Sequence, residues 1–470
     1  MRTVTRFLLP GAALLLPACS FGPSWMSAKP NMPVPAEFRG ASAQAESMAD
    51  LPWQQVLRDP SLSSLLSDVL NNNRTLEATL HNVRAAEHAV TVANAPLFPW
   101  FGYGASSSKG ANQANGATVV QSGGATKMPG AAALNASWEL DLWGKTRKGT
   151  ESAEASAQEA EEMLNNLRVS LIRQVACGYL NLVLLDEQLR IARNSVVSYQ
   201  ETLELFGAQL EGGIANKLQT TSAEAALKAA EAEIPQLEYQ IRALENTLCA
   251  LAGRAPGSIA RKSSLSSFAG AAKVAAGIPA SILSRRPDIR AKEQAMRAAN
   301  AEVGVAIANY FPSISLTGAM GYASMDLRRD ALHPTTGWGV GANLTGPLFR
   351  AGQLRASEKI KRENFLSAKA EYEQTVYDAL AEISSTLIQR EKLREVISRQ
   401  EAAVAAYEES LALSRDRYKQ GLSSYYEVLT AQQGLFPAQK QLASYRYQYA
   451  ACIPTLYTQL GGGWEQQKRK

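Results

Sequence analysis

Residues able to do chemistry are scarce in this chain of 470 residues. It holds three histidines, His81, His88 and His333, and four cysteines, Cys19, Cys177, Cys249 and Cys452. Acid–base and zinc sites draw heavily on histidine, so three dispersed copies argue against both. His81 and His88 are seven apart and share a helix face. Two metal ligands on one helix more often sit three or four apart, so both read as exposed helix residues. Cys177, Cys249 and Cys452 are odd in number, widely spaced and set in helical patterns. At least one stays unpaired in a single chain, and small buried apolar residues fit them better than a redox pair. No nucleophile–base pair, metal cluster or phosphate-binding loop is visible. An enzyme is therefore the weakest reading, and no metal or cofactor is expected. The net charge of +5 comes from mixed signs, as on solvated helix faces, and makes no case for nucleic acid.

Cys19 is different. It follows a short basic stretch, MRTVTR, and an apolar stretch, FLLPGAALLLPA, too short to span a bilayer as a mature helix. Leu16-Pro17-Ala18-Cys19 resembles a bacterial lipobox. Residues 1–18 would be removed as a signal peptide, and Cys19 would become the lipidated first residue, carrying palmitate-type acyl chains. Pro10 and Pro17 are unusual in such a segment, and the alternative is an ordinary signal peptide with a cysteine near its cleavage site. Ser20 resembles the pattern of lipoproteins sent to the outer membrane. No other apolar run reaches the length of a transmembrane helix.

The elements that position these residues are written twice. A shift of 213 lays Leu76, Arg84, Val90, Phe98 and Pro99 on Ile289, Arg297, Val303, Phe311 and Pro312. A shift of 208 lays Tyr199, Glu201, Gly213, Tyr239 and Gly253 on Tyr407, Glu409, Gly421, Tyr447 and Gly461. Two offsets differing by five residues mean two copies with one difference in loop length. The expected division is a lipidated N-terminal segment at 19–60, repeat 1 at 61–253, an equatorial connector at 254–281, repeat 2 at 282–461 and a tail at 462–470.

Each repeat reads helix, strand, loop, strand, very long helix, glycine turn, long helix. The strands are expected near 98–108, 131–143, 311–323 and 337–349, with strict alternation. Leu134, Ala136, Trp138, Leu140 and Leu142 alternate with Asn135, Ser137, Glu139 and Asp141. Trp338, Val340, Ala342, Leu344 and Leu348 alternate with Gly339, Gly341, Asn343 and Thr345. Each strand is about ten residues long, as a tilted membrane strand would be. The connecting loops, 106–130 and 324–336, are rich in Gly, Ser, Asn and Thr.

Helical hairpins follow near 145–252 and 352–460. No proline occurs from 130 to 234 or from 348 to 436, so helices at 145–211 and 352–418 would each run about 100 Å. Val376, Leu380, Ile383 and Leu387 have the 4-3-4 spacing of a coiled-coil seam. Gly213 and Gly421 mark the hairpin tips.

Four strands with one apolar, aromatic-rich face need a covering layer, and these helices are too long and too evenly amphipathic to provide it. An outer-membrane barrel puts such a face toward lipid. Four strands cannot close, and open edges are not tolerated in lipid, so an oligomer is required. Two chains would give eight strands and a plugged interior; three would give twelve and a channel.

The sequence resembles the outer membrane factors of tripartite efflux pumps, the TolC-like family, and is most similar to the lipidated OprM/NodT-type branch. The resemblance rests on Cys19 with Gly22-Pro23, Trp53, Asp59-Pro60-Ser61-Leu62, Arg285-Arg286-Pro287-Asp288-Ile289-Arg290 and Tyr310-Phe311-Pro312-Ser313-Ile314-Ser315-Leu316. Gly346-Pro347-Leu348-Phe349, Tyr418-Lys419-Gln420-Gly421 and Leu460-Gly461-Gly462-Gly463-Trp464 complete it. It implies an α+β membrane protein: a long α-helical coiled-coil barrel joined to a transmembrane β-barrel, four strands per chain, closed at twelve strands by a homotrimer. It further implies a passive exit duct in the outer membrane with a long periplasmic extension. Its partners would be a periplasmic adaptor, an inner-membrane RND-type pump and outer membrane lipid.

By the same resemblance, Asp416 and Glu427 occupy positions of a periplasmic gate, with Lys419 or Arg415 as charge partners. Gly213 and Gly421 are the expected adaptor-docking tips. Many relatives carry a second acid three residues after the first; Thr430 stands there, so the gate leans on Asp416. The alternative for any one of these charges is a solvated coiled-coil face. Trp138, Trp338, Tyr103 and Tyr322 fit interfacial or lipid-facing places. Pro99 and Pro312 mark helix-to-strand junctions, since proline ends a helix and drives its predecessor toward extended geometry. Two rival functions are a protein-secretion channel of the same fold and a non-channel coiled-coil lipoprotein spanning the envelope; the four strands oppose the second.

Overall fold

The structure is a computed structural model. It describes residues 23–25, 32–39, 47–107, 113–114, 117–118, 130–213, 216–261, 264–265, 277, 279–324 and 335–464. Cys19, the signal peptide, His333, the tail beyond Trp464 and most of both predicted strand loops lie outside the described residues. Seven helices of more than one turn are described: α1 (Pro60–Asn72), α2 (Arg74–Asn94), α3 (Lys145–Glu211), α4 (Lys217–Leu251), α5 (Pro287–Ala308), α6 (Gln353–Lys419) and α7 (Tyr425–Gln459). Six strands accompany them: β1 (Trp100–Ser107), the two-residue β2 (Gln113–Ala114) and β3 (Ala117–Thr118), β4 (Gly130–Leu140), β5 (Ser313–Ser324) and β6 (Thr335–Thr345).

The chain forms two compact units, and each takes pieces from both sequence repeats. One unit holds residues 84–159 and 293–371 with the N-terminal residues; the other holds 32–83, 160–292 and 372–470. The first contains an antiparallel sheet of order β1-β4-β5-β6. Its register sets Tyr103 opposite Leu134, Trp138 opposite Leu316 and Met320 opposite Trp338. Phe101, Tyr103, Leu134, Trp138, Leu316, Met320, Tyr322, Trp338, Val340 and Leu344 therefore share one face. The opposite face carries Asn135, Ser137, Ser315, Thr317, Gly339, Gly341 and Asn343. Among the described residues no layer of the unit covers the apolar face: Tyr103 is 88% exposed, Val340 80% and Trp338 79%.

The strand ends differ from the alternation pattern at two places. β4 stops at Leu140, short of Leu142, because the Asp141 carboxylate accepts from the Thr146 and Arg147 amides at 3.1 and 3.0 Å and starts α3. β6 stops at Thr345, and Leu348 lies beyond it, fully exposed. Gly346 ends the ladder where its Cα approaches Pro312: a Cβ there would lie 2.8 Å from the proline Cβ.

Both helix-to-strand junctions are held by tryptophans from a single segment. Trp138 Nε1 donates to the Leu97 carbonyl at 3.0 Å, two residues before Pro99. Trp143 Nε1 donates to the Pro312 carbonyl at 2.6 Å, and its ring stacks on Phe311 at 4.9 Å. Phe98 is extended (φ −111°, ψ 153°), as a residue before proline should be.

In the second unit the repeats meet the same backbone geometry with different side chains. The sequence reading places one helix before each first strand; the structure breaks it at Asn73 and at Arg286, positions equivalent under the shift of 213. Asn73 Oδ1 caps α2 at Leu76 N (2.9 Å), and its Nδ2 donates to the Leu251 carbonyl at 2.8 Å. Arg286 donates to Asp288 and Glu382, and to the Gln459 carbonyl at 3.3 Å. Leu251 and Gln459 are themselves equivalent under the shift of 208. Just beyond them, Gly253 and Gly461 take left-handed φ of +66° and +84° and close Schellman caps.

The seam of α6 runs through Tyr372, Val376, Ala379, Ile383 and Thr386, with Leu387 beside it. Ala379 takes the place expected of Leu380, which is half-buried, because alanine lets the neighbouring helix come closer. One 18-residue window of α3 is apolar enough to cross a membrane, contrary to the sequence reading, but 61% of it is buried inside the protein. It is the core-facing stretch around Val175–Leu185. Cys177, Cys249 and Cys452 are free thiols in α3, α4 and α7, and burial pushes Cys452 up to about 11. Arg261, in the connector, ties α3 to α4 through Asp186 and Glu245, the latter at 2.6 Å.

The two kinds of glycine cap should respond differently to substitution. A Cβ at Gly461 would sit 2.8 Å from the Arg285 carbonyl group, whereas at Gly421 (φ +72°) it would meet nothing within 4 Å. Gly421→Ala should cost about 1 kcal/mol, the left-handed strain alone. Gly461→Ala should cost several-fold more, read as the thermal unfolding midpoint of the detergent-solubilised protein.

Candidate functional site

The hairpin tips are built by capping. α6 ends at Lys419, and Gly421 N–H donates to the Tyr418 carbonyl while Leu422 N–H donates to that of Arg417, both at 2.9 Å. This Schellman pair turns the chain into α7. At the other tip Gly213 has φ +70°. Asn216 and Gln219 form a reciprocal capping box at 3.0 and 2.9 Å that starts α4.

Beneath the second tip lies an apolar core. Phe206 from α3, Leu411 from α6, and Tyr425, Val428 and Leu435 from α7 are buried together. Phe206 meets the Tyr425 ring edge-on at 4.1 Å and the Tyr418 ring at 5.7 Å. This cluster joins the end of the first long helix to the tip of the second hairpin.

Polar ties surround the cluster. Arg415 Nη2 donates to Ser198 Oγ at 2.6 Å and approaches Glu201 at 3.6 Å. Tyr418 donates its hydroxyl proton to Gln209 Oε1. Gln432 is fully buried; its amide donates to Ser198 Oγ at 2.9 Å and to Thr202 Oγ1 at 3.1 Å. Each tie links α3 to α6 or α7.

The sequence-predicted charges fall into two groups. Asp416, Lys419 and Glu427 are exposed and make no ion pair within the chain among the described residues. Arg415, expected as a partner of the acids, is committed instead to Ser198 and Glu201, because its side chain leaves α6 on the face that packs on α3. A groove of about 600 Å³ between α6 and α7 is lined by Tyr407, Glu409, Leu413, Arg417, Tyr426 and Glu427 among others. Gln209, Ser198, Thr202 and Gln432 escaped the sequence reading. Gln432 left one signal: an amide within the buried stripe Val428, Ala431, Leu435. His81 and His88 are exposed on α2, and no metal-binding cluster occurs among the described residues.

A sheet apolar on its uncovered face, tryptophan-clasped junctions and long proline-free helices ending in capped tips define a class: the outer-membrane channel with a helical extension. The family model for the outer membrane efflux protein matches residues 65–254 and 278–462, and the chain belongs to that family. It is 31% identical over 461 residues to the cation efflux system protein CusC of Escherichia coli O6:H1, covering 97% of this chain and 98% of that one. It is 31% identical over 465 residues to the toluene efflux pump outer membrane protein TtgC of Pseudomonas putida, covering 97% and 95%. A crystal structure of CusC superposes with a TM-score of 0.83 at 29% identity, covering 95% of this chain and all of the other. The protein is an outer membrane efflux channel with a long periplasmic helical part.

The two tyrosines of the tip should separate in a stability assay. The Tyr425 hydroxyl is buried with no hydrogen-bond partner among the described residues, and desolvation pushes its pKa up to about 12. Tyr425→Phe should leave the unfolding midpoint unchanged or raised, since it removes a buried unpaired oxygen. Tyr418→Phe loses the bond to Gln209 and should cost about 1 kcal/mol.

Proposed function

We propose that three copies of this chain close a twelve-stranded barrel and form the exit duct of a tripartite efflux system. The observation that carries this reading is the sheet itself, apolar and uncovered on one face, small and polar on the other, with β1 and β6 each paired on one side only. In hydrocarbon those edges must be paired, and copies of the same sheet supply the partners. Twelve strands leave a lumen lined by the small polar face. Pro99 and Pro312 then stand at one height in six copies around the rim. Cys19 carries the lipid of the OprM/NodT-type branch, an aid to targeting and assembly beside the embedded barrel.

At the periplasmic end, threefold symmetry brings three copies each of Asp416 and Glu427 together. Their exposure and lack of partners within the chain suit a ring that closes in the assembly and favours cations. Lys419 supplies a latch between copies. The ties from Arg415, Tyr418 and Gln432 to α3 hold the tip of the second hairpin inward, so the gate opens when they yield. The tips at Gly213 and Gly421 receive the periplasmic adaptor, which delivers compounds from an inner-membrane RND-type pump. The relatives named for cation and for toluene efflux match this chain over nearly its whole length, which supports a duct that is passive toward small toxic compounds. Protein secretion is the second use of such a duct; an adaptor and an RND-type pump encoded beside this gene favour efflux, an ABC-type exporter favours secretion.

In planar bilayers the purified protein should show small, mostly closed, cation-preferring conductance. Asp416→Ala should open it and weaken the cation preference. Arg415→Ala should raise open time without changing selectivity. Conductance unaltered after replacing both Asp416 and Glu427 would sink the gate assignment.

A further inference from the structure

The apolar face of the sheet is not smooth. It carries a groove of about 530 Å³ lined by Pro99, Trp138, Leu316, Val340 and small residues. The register explains the groove. One row across the sheet reads Ala136, Gly318, Val340, and the next reads Trp138, Leu316, Ala342. Ala136, Gly318 and Ala342 are too short to fill their places, so a trough runs between the larger side chains. Its lining is mostly apolar, with Ser137 and Thr317 also bordering it, and Pro99 brings it to the helix-to-strand junction.

The first unit also shows what lies near that junction. The Asn300 side chain, 1% exposed, donates from Nδ2 to the Pro23 carbonyl at 3.2 Å. Pro23 is thereby held on α5, the helix that runs directly into β5, whose Leu316 and Gly318 line the trough. Asn300 stands eight residues before the end of α5 at Ala308, a rise of about 12 Å. Four residues lead back from Pro23 to Cys19, with a reach of about 14 Å. A lipid on Cys19 can therefore reach the end of α5, with four residues between it and the start of β5. From there an acyl chain of about 15 Å, half the hydrocarbon thickness, extends toward the row of Trp138, Leu316 and Ala342.

We propose that the trough floored by Ala136, Gly318 and Ala342 seats an acyl chain carried by the protein's own Cys19. The proposal rests on the lipobox reading of that residue. The anchor then forms part of the outer wall of the sheet that bears it, and its position around the rim is set by Asn300 and the trough instead of by diffusion in the bilayer.

The test uses cells fed a diazirine-bearing palmitate. After irradiation the full-length protein is purified and its adducts are mapped by mass spectrometry. Adducts should concentrate on Leu316 and Val340, and fall at least tenfold in Cys19→Ala exported with an ordinary cleavable leader. Equal labelling in that variant means bilayer lipid fills the trough and overturns the proposal. So does labelling spread evenly to Tyr103 and Trp338. Gly318→Leu provides a second arm. A Cβ at Gly318 meets Ala136 and Val340 at an ordinary 3.9 Å, so the sheet accepts it while the side chain fills the trough. Label should leave Val340 with N-terminal acylation and assembly unchanged; label that stays refutes the seat. The intact mass of the mature N-terminus separates the two readings. An unacylated terminus refutes the lipobox and the proposal with it, whereas an acylated terminus with diffuse label refutes the seat alone.

Discussion

A peptide group stripped of water must find another peptide group. In a bilayer this rule has no exceptions at a sheet edge, since every unpaired N–H or C=O costs several kcal/mol there. The sheet of this protein has four strands, two ends and an apolar face that nothing among the described residues of its unit covers. Every other feature follows from making such a sheet viable. Its strands must leave and rejoin helices at one level, which the paired tryptophan bonds at Leu97 and Pro312 enforce. Its inner face must be slim, which the glycines and serines of β5 and β6 supply. Its two edges must find pairing partners in the bilayer.

Internal duplication solves the problem of matching two strand pairs to one rim. What the duplication has conserved is a geometry of the backbone and not a set of side chains. In one copy an asparagine amide reaches the carbonyl at the end of the returning helix, and in the other an arginine does so. The glycines that follow are kept because their left-handed φ and the backbone pressed against them exclude a Cβ. Side-chain chemistry diverged where several donors could reach one acceptor; it stayed where only hydrogen fits.

Much of this was legible before any coordinates. Strict alternation exposed the four strands, and the absence of proline over long spans gave α3 and α6 nearly to the residue. The glycine tips and the two prolines declared themselves by recurring at fixed offsets. Three things were not legible. The break at Asn73 was hidden because asparagine inside a helical pattern signals weakly; only its long-range bond to Leu251 shows why it stops α1. The seam position of Ala379 depends on how near a neighbouring helix comes, which spacing alone cannot report. The ties from Arg415, Tyr418 and Gln432 join residues some two hundred positions apart, so no local pattern holds them. Arg415 reads in the sequence as a charge partner of the gate acids, because sequence shows its sign but not that its face packs on α3.

The central pairing of the sheet, β4 against β5, joins one repeat to the other. This makes the central pairing of the sheet a long-range contact. β4 ends at Leu140 and β5 begins at Ser313, so β4 lacks its inner neighbour until the start of the second repeat has been translated. Loop-closure entropy opposes that pairing throughout, and folds dominated by such contacts form slowly. Neither repeat is a compact unit by itself, since each unit draws on both. Until β5 follows, the β1–β4 pair presents an open inner edge beside an apolar face, the kind of surface that invites wrong pairing.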